Sequence, residues 1–202
     1  MLFRSRRGDL PPESLLLALP RGGVAVAAAM ARILRLPLAT WSARKLADPS
    51  QPEFAIGAIA PGEVVLWELP QGAPWPSADQ RQRLVDQQRQ ELRRRQLVFG
   101  DPDPAALHQR HLILVDDGIA TGLTARAALQ SLRQLQPASL CLAVPVLDRR
   151  VGDTFRALVD RLVVLEEVDG LQSVGQYYKD FEQLRDDTVL ALLNRPSPED
   201  GG

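Results

Sequence analysis

Two adjacent carboxylates, Asp116 and Asp117, follow a four-residue apolar run at 112–115 and precede a small, hydroxyl-rich stretch: Gly118, Ile119, Ala120, Thr121, Gly122, Leu123, Thr124. A glycine-bearing loop that opens a helix can cradle a phosphate. Glycine lets the backbone approach an oxyanion, and the unpaired N–H groups of the first turn point at it. Thr121 and Thr124 add hydroxyl donors. The paired carboxylates do different chemistry. They repel a phosphate, and instead accept hydrogen bonds from hydroxyls or hold a hydrated Mg²⁺. Together the two features call for a ligand with a phosphate at one end and a diol beside it, such as a ribose 5-phosphate. Other phosphate patterns do not fit. No Lys follows Gly122, as a G-x-x-x-x-G-K-[ST] loop requires, and no G-x-G-x-x-G follows a strand.

Two further groups could handle an anion. Pro20, Arg21, Gly22 and Gly23 join an apolar run at 14–19 to an Ala-rich stretch at 24–34. Taken alone, a Gly-Gly pair there reads as a strand-to-helix turn, with Arg21 as a fixed cation beside it. Arg44 and Lys45 follow a run at 38–42. Of 24 basic residues only Lys45 and Lys179 are lysines, so each lysine is a candidate for a place where a compact ammonium matters.

The elements that must position these groups are short apolar strands alternating with helices. That alternation gives an α/β fold with a mainly parallel twisted sheet, right-handed crossovers and helices on both faces, Rossmann-like. Ligands then bind beyond the carboxyl ends of the strands. Pro20–Gly23, Arg44-Lys45 and residues 116–124 each follow a predicted strand and so fall on one edge. Residues 54–60 and 63–67 read as β-rich neighbours joined by the turn Pro61-Gly62. Ser77 and Gln80 form a capping box for a helix at 77–97, whose apolar stripe (Leu84, Val85, Leu92) is thin. That helix carries six arginines. Interleaved acids and missing aromatics argue against nucleic-acid binding. Later stretches read as a strand at 139–146, a turn or two of helix at 154–159 and a last strand at 162–165.

Composition sets the frame. The 202 residues suit one domain, read as an arm at 1–13, a domain at 14–195 and a disordered tail at 196–202. With 45% hydrophobic residues there is ample material for a core, and a net charge of −1 suggests no nucleic-acid or membrane surface. Cys141 is the only cysteine, so no disulfide forms within the chain, in keeping with a reducing compartment. No apolar run approaches a membrane span, and the basic start lacks a secretory core, so a cytoplasmic location is expected.

The stretch VDDGIATGLT resembles the 5-phosphoribosyl-1-pyrophosphate (PRPP) signature of type I phosphoribosyltransferases. The likeness runs from about residue 15 to 193, and is strongest to bacterial stand-alone members whose acceptor is unassigned. It implies that Asp116 and Asp117 bind the ribose hydroxyls, and Mg²⁺ directly or through water. It implies that Gly118, Ile119, Ala120, Thr121, Gly122, Leu123 and Thr124 hold the 5-phosphate. Arg21, Gly22, Gly23, Arg44 and Lys45 would then face the pyrophosphate, with Arg44 and Lys45 joining the two acids as the catalytic set. Small hood or flap segments from the termini, a homodimer and a role in nucleotide salvage come with the resemblance. Leu123 departs from the family, which commonly has a smaller residue or Lys there, and Gln51 stands where a related segment has Asn. Ala120 replaces the acid of 6-oxopurine enzymes. The acceptor is a nucleobase-like nitrogen compound, with Leu147, Asp148, Val168, Asp169, Tyr177 and Tyr178 as candidate contacts. The alternative is a PRPP-sensing regulator that keeps the site without turnover.

Overall fold

Alternating faces of short, fully apolar strands build the centre of the molecule. The structure, a computed structural model, describes residues 10–11, 13–52, 54–69 and 74–194. Most of the expected arm at 1–13 and the whole of the expected tail at 196–202 lie outside them. Strands β1 (Leu15–Ala18), β2 (Leu38–Thr40), β6 (His111–Val115), β7 (Ser139–Asp148) and β8 (Arg161–Val168) form one parallel sheet in the order β2-β1-β6-β7-β8. β1 and β6 are its middle, with Leu17 beside Leu114 and Ala18 beside Val115. Strands buried on both faces need continuous apolar runs, and these have them.

Successive side chains enter opposite faces. Leu15, Leu17, Leu112 and Leu114 meet Leu129 and Leu132 of helix α3 (Leu123–Gln134). Leu16, Ala18, Ile113 and Val115 meet Val24, Ala27, Met30 and Leu34 of helix α1 (Gly22–Leu34), with Val189 of α5 (Asp186–Leu193) beyond. Helices therefore cover both faces, as expected. Removing one such fully buried leucine, for example Leu114→Ala, costs about 2–5 kcal/mol in cores of this kind.

Between β2 and β6 the chain builds a second layer. Strands β3 (Arg44–Ala47), β4 (Ala55–Ala60) and β5 (Val64–Trp67) form an antiparallel sheet, and helix α2 (Ala78–Phe99) packs on it through Leu46, Ile59, Val85 and Leu92. The expected capping box is present: Gln80 N–H donates to Ser77 Oγ at 3.2 Å, and Ser77 N–H to Gln80 Oε1 at 2.8 Å. The opposite face of this sheet, through Ala58 and Ala60, joins the α3 core.

Here the structure corrects the strand reading at 38–42. β2 stops at Thr40, and Arg44-Lys45 opens a new strand in the second sheet. The cause is a distant carboxylate. Asp101, just past α2, accepts from Thr40 Oγ1 at 2.6 Å, Ser42 N–H at 2.7 Å and Ser42 Oγ at 3.0 Å. One half-buried side chain thus ties the two ends of the insertion together. Trp41, which is buried, donates from Nε1 to Ser131 Oγ at 3.3 Å, and Ser131 donates to the Pro61 carbonyl at 2.6 Å. The cover over the sheet's carboxyl edge comes from this insertion and from the C-terminal stretch at 174–184. Two later elements are longer than expected: helix α4 is Arg149–Leu158 and β8 reaches Val168.

Candidate active site

The two glycine motifs meet at the carboxyl ends of β1 and β6. Leu19 N–H donates to the Val115 carbonyl at 2.9 Å, which carries β1 past its last rung, and the Pro20–Arg21 peptide is cis. Helix α1 then starts directly against the acidic pair. A methyl at Gly22 would lie 1.7 Å from Asp117 Oδ2, and one at Gly23 would lie 2.6 Å from the Val115 carbonyl oxygen and 2.9 Å from Asp116 Cα. No side chain larger than hydrogen fits between the turn and the acids. Arg21, the residue before the helix, makes no side-chain cap.

Asp116 accepts the Asp117 N–H at 2.9 Å. Burial, and next the charge of Asp117, push the Asp116 carboxyl well above the usual aspartate range; burial also raises Asp117. Neither acid pairs with a basic side chain among the described residues. Two sequestered carboxylates without a counter-cation suit a hydrated divalent ion or a pair of sugar hydroxyls. No cluster of three or more His, Cys, Asp or Glu side chains occurs among the described residues. A metal here would therefore complete its shell with water and ligand oxygens.

The next residues are stitched into the sheet. Ile119 N–H donates to the Val146 carbonyl at 2.9 Å and Asp148 N–H to the Ile119 carbonyl at 2.8 Å, a bridge between Ile119 and Leu147. Gly122 takes a left-handed φ of 75° before α3, and Phe155 fills the space a side chain would need, 2.6 Å from the place of a methyl. Ile119 and Leu123 point into the core, so they offer the loop backbone only. The Leu123 side chain, where the family commonly has a smaller residue or Lys, therefore stays out of the loop. Thr121 is exposed, and Ala120, Gly122 and Thr124 are half-buried. The first turn of α3 presents unpaired N–H groups at this edge.

A cleft of about 620 Å³ opens beside Asp117. Arg21, Arg44 and Arg95 line it with Pro20 and Gly22, and the facing wall is Tyr178 and residues 180–184. Arg44 Nε donates to Gln88 Oε1 at 3.0 Å. Burial, followed by the charge of Arg95, lowers the Arg44 pKa; Arg21 and Arg94 lower it further. Lys45, next in the strand, faces the other way and donates from Nζ to the Pro52 carbonyl at 3.1 Å. The structure thus brings Arg44, and not its neighbour, to Arg21. Gln51 lies exposed in the adjoining turn.

Tyr178 donates its hydroxyl to the Asp117 carbonyl at 2.6 Å and packs on Phe181 with ring centroids 5.3 Å apart. Burial, with the nearby Asp117 and Asp116 charges, pushes its pKa up to about 12. Val174 lies over Gly118, where a methyl would come within 2.6 Å of it. Three other acceptor candidates sit apart from this cleft. Asp148 is fully buried and accepts from the Arg150 N–H at 2.9 Å, the Arg150 guanidinium at 2.6 Å and the Leu171 N–H at 2.7 Å. The Arg150 side chain, ahead of the other bonds, holds its pKa down to about 2. Asp169 is exposed and pairs with Arg149 at 2.6 Å, and Tyr177 is exposed.

Sequence reasoning missed Arg95. It sits in a run of three arginines, and only its spacing from Leu84, Gln88 and Leu92 on one helical face could have marked it. Of the other five α2 arginines, Arg83 and Arg93 are exposed, Arg81 sits on the Pro76 carbonyl, Arg89 on Glu63, and Arg94 on Glu91 and Asp186.

Comparison with known proteins agrees with this edge. A family model described as the phosphoribosyl transferase domain matches residues 11–169. A protein named as a putative phosphoribosyl transferase in Mycobacterium tuberculosis strain H37Rv is 38% identical over 187 residues, covering 90% of this chain. Its counterpart in strain CDC 1551 matches equally. The chain spans only 41% of the length of these curated relatives. A crystal structure of TT1426 from Thermus thermophilus is 34% identical, covers 90% of this chain and 86% of its own, and superposes with a TM-score of 0.67. The matched span contains both glycine motifs, the acidic pair and the parallel sheet that carries them, and the chain belongs to the phosphoribosyl transferase domain family.

Proposed function

We propose that residues 14–195 form a transferase domain that binds PRPP with Mg²⁺. It moves the ribose 5-phosphate to a nucleobase-like nitrogen acceptor and releases pyrophosphate. The observation that carries this reading is the contact of Gly22 and Gly23 with the Val115–Asp117 strand end. It sets an arginine-bearing turn against a carboxylate pair, and the carboxylate pair against a helix N-terminus. A ligand with a diphosphate, a diol and a phosphate in that order matches the row.

Each group has a task. The N–H groups at 120–124 and the Thr121 and Thr124 hydroxyls hold the 5-phosphate. Asp116 and Asp117 accept the ribose hydroxyls, and their negative charge favours the cationic ring that develops as the C1–O bond breaks. Arg21 and Arg44 meet the charge growing on the leaving pyrophosphate. Asp116 and Asp117, directly or through water, would hold Mg²⁺, which would supply further neutralisation of that charge. The acceptor nitrogen attacks C1, and no covalent enzyme intermediate is required.

Pyrophosphate release from PRPP and Mg²⁺ across a panel of purine and pyrimidine bases tests the proposal, with Asp117→Asn as its control. That variant should fold normally and lose about a hundredfold or more in turnover. Near-normal turnover would refute the ribose assignment. Silence of the wild type across the panel despite PRPP binding would move the domain to the regulatory reading. Arg81, Arg89 and Arg94 of α2 are taken up by three separate partners, which does not favour that reading.

A further inference from the structure

The cleft beside Asp117 holds more positive charge than the two loop motifs bring to it. Arg21 comes from the turn before α1 and Arg44 from β3. Arg95 comes from α2, an element outside both motifs. Its side chain is only 10% exposed, and its Nε donates to Glu91 at 3.0 Å. Glu91 is shared, because Arg94 binds it as well, at 2.7 Å. Arg21 has Asp186 at 3.6 Å, and Arg94 takes the other oxygen of that carboxylate at 3.1 Å. Arg44 has only the neutral Gln88 among the described residues. Asp117, Asp180 and Glu182 also line the cleft, but none of them pairs with these four guanidinium groups, which have two carboxylate partners between them among the described residues. Burying an arginine beside two others is costly unless an anion completes the set. Burial lowers the Arg44 pKa most, and Arg95, Arg21 and Arg94 lower it further against Glu91, which raises it.

We propose that Arg95 of α2 is a third guanidinium ligand for the diphosphate group of the bound molecule, held in place by Glu91 until that group arrives. The proposal rests on the transferase reading above and deepens it. A diphosphate offers several oxygens in two planes, which three planar forks from different elements can engage together. A single phosphate satisfies fewer of them. Glu91 competes with the anion for Arg95, so it tunes affinity instead of adding to it.

Calorimetric titration of the full chain with inorganic pyrophosphate and Mg²⁺ tests this. Arg95→Gln should weaken binding about tenfold or more, the loss of a charge-assisted hydrogen-bonding group. Arg95→Lys keeps the charge without the fork and should weaken it less. Arg81→Gln, at the far end of α2 on the Pro76 carbonyl and outside the cleft, should stay within about twofold of the wild type. Glu91→Gln should tighten binding, and it tests the idea even if Arg95→Gln fails to fold. Pyrophosphate that does not bind the wild type, or binds Arg95→Gln and Arg95→Lys within about twofold of it, would overturn the assignment. Failure of the transferase reading looks different: Arg95-dependent pyrophosphate binding with no release from PRPP would sink the transfer and leave Arg95 assigned.

Discussion

Alanine at Gly22 and alanine at Gly23 should fail in different ways. At Gly22 the new methyl would sit 1.7 Å from Asp117 Oδ2, where ordinary contact begins at 3.4 Å. The obstacle is a side chain, so the carboxylate can swing aside by about the missing 1.7 Å. Helix α1 gains up to about 1 kcal/mol from alanine in place of glycine, which offsets the rotation. Gly22→Ala should therefore keep wild-type stability within about 1 kcal/mol. Its function should not survive, because a displacement above 1 Å at a binding group costs about a hundredfold. At Gly23 the methyl would meet backbone, the Val115 carbonyl oxygen at 2.6 Å and Asp116 Cα at 2.9 Å. Only a shift of α1 away from the sheet relieves that, at about 1–3 kcal/mol for overpacking. Urea denaturation gives the stabilities, and PRPP–Mg²⁺ titration gives the affinities. Gly22→Ala that binds PRPP like the wild type, or that destabilises as much as Gly23→Ala, would refute the reasoning. Trimming the obstacle in Gly22→Ala/Asp117→Ala should remove whatever stability loss Gly22→Ala shows.

Other expectations follow from groups further out. Asp148→Ala should destabilise the fold by about 3 kcal/mol, since it removes the α4 cap and the tie to Leu171 at once. The Asp148 carboxyl is held at about 2 against an ordinary 3.8, so its stabilisation is full above 3.8 and fades as pH falls toward 2. Acid titration of unfolding should thus narrow the gap between wild type and variant in that window. Tyr178→Phe loses one hydrogen bond to Asp117, worth about 1 kcal/mol, and limited trypsin digestion should cut faster at Lys179. Burial pushes the Cys141 thiol up to about 11, so iodoacetamide at neutral pH should label it slowly until denaturant is added.

The sheet's interior was legible because it is written locally. Four apolar residues at 112–115, too short for a helix and bounded by polar residues, read as a buried strand, and the capping box at Ser77 marks a helix start. The turn before α3 was legible for the same reason: Gly122 takes a left-handed φ of 75° there. What escaped is what distant residues decide. Nothing near Thr40 announces that Asp101 will end β2 there and send Arg44 into another sheet. Arg95 looks like Arg93 and Arg94 until the hairpin sheet selects one face of α2. β8 runs on through Glu166 and Glu167 because an edge strand keeps one flank in water, so charge does not stop it. Asp148 looked like a recognition residue at a strand end, and its hydrogen bonds tie it to α4 and Leu171 instead.

The cleft draws its walls from positions 21, 44, 95, 117 and 178, five points scattered over most of the chain. No fragment holds more than a part of it, so an anion can engage the full set only after the sheet, the insertion and the C-terminal stretch have all docked. Such a ligand discriminates sharply between the finished molecule and any partly assembled one. By mass action, occupancy at a hundred times the dissociation constant would add about 2.7 kcal/mol to the whole chain at once. The cleft thus doubles as a sensor of complete folding, and the protein's heat resistance in a cell would rise and fall with the supply of any anion that fills it.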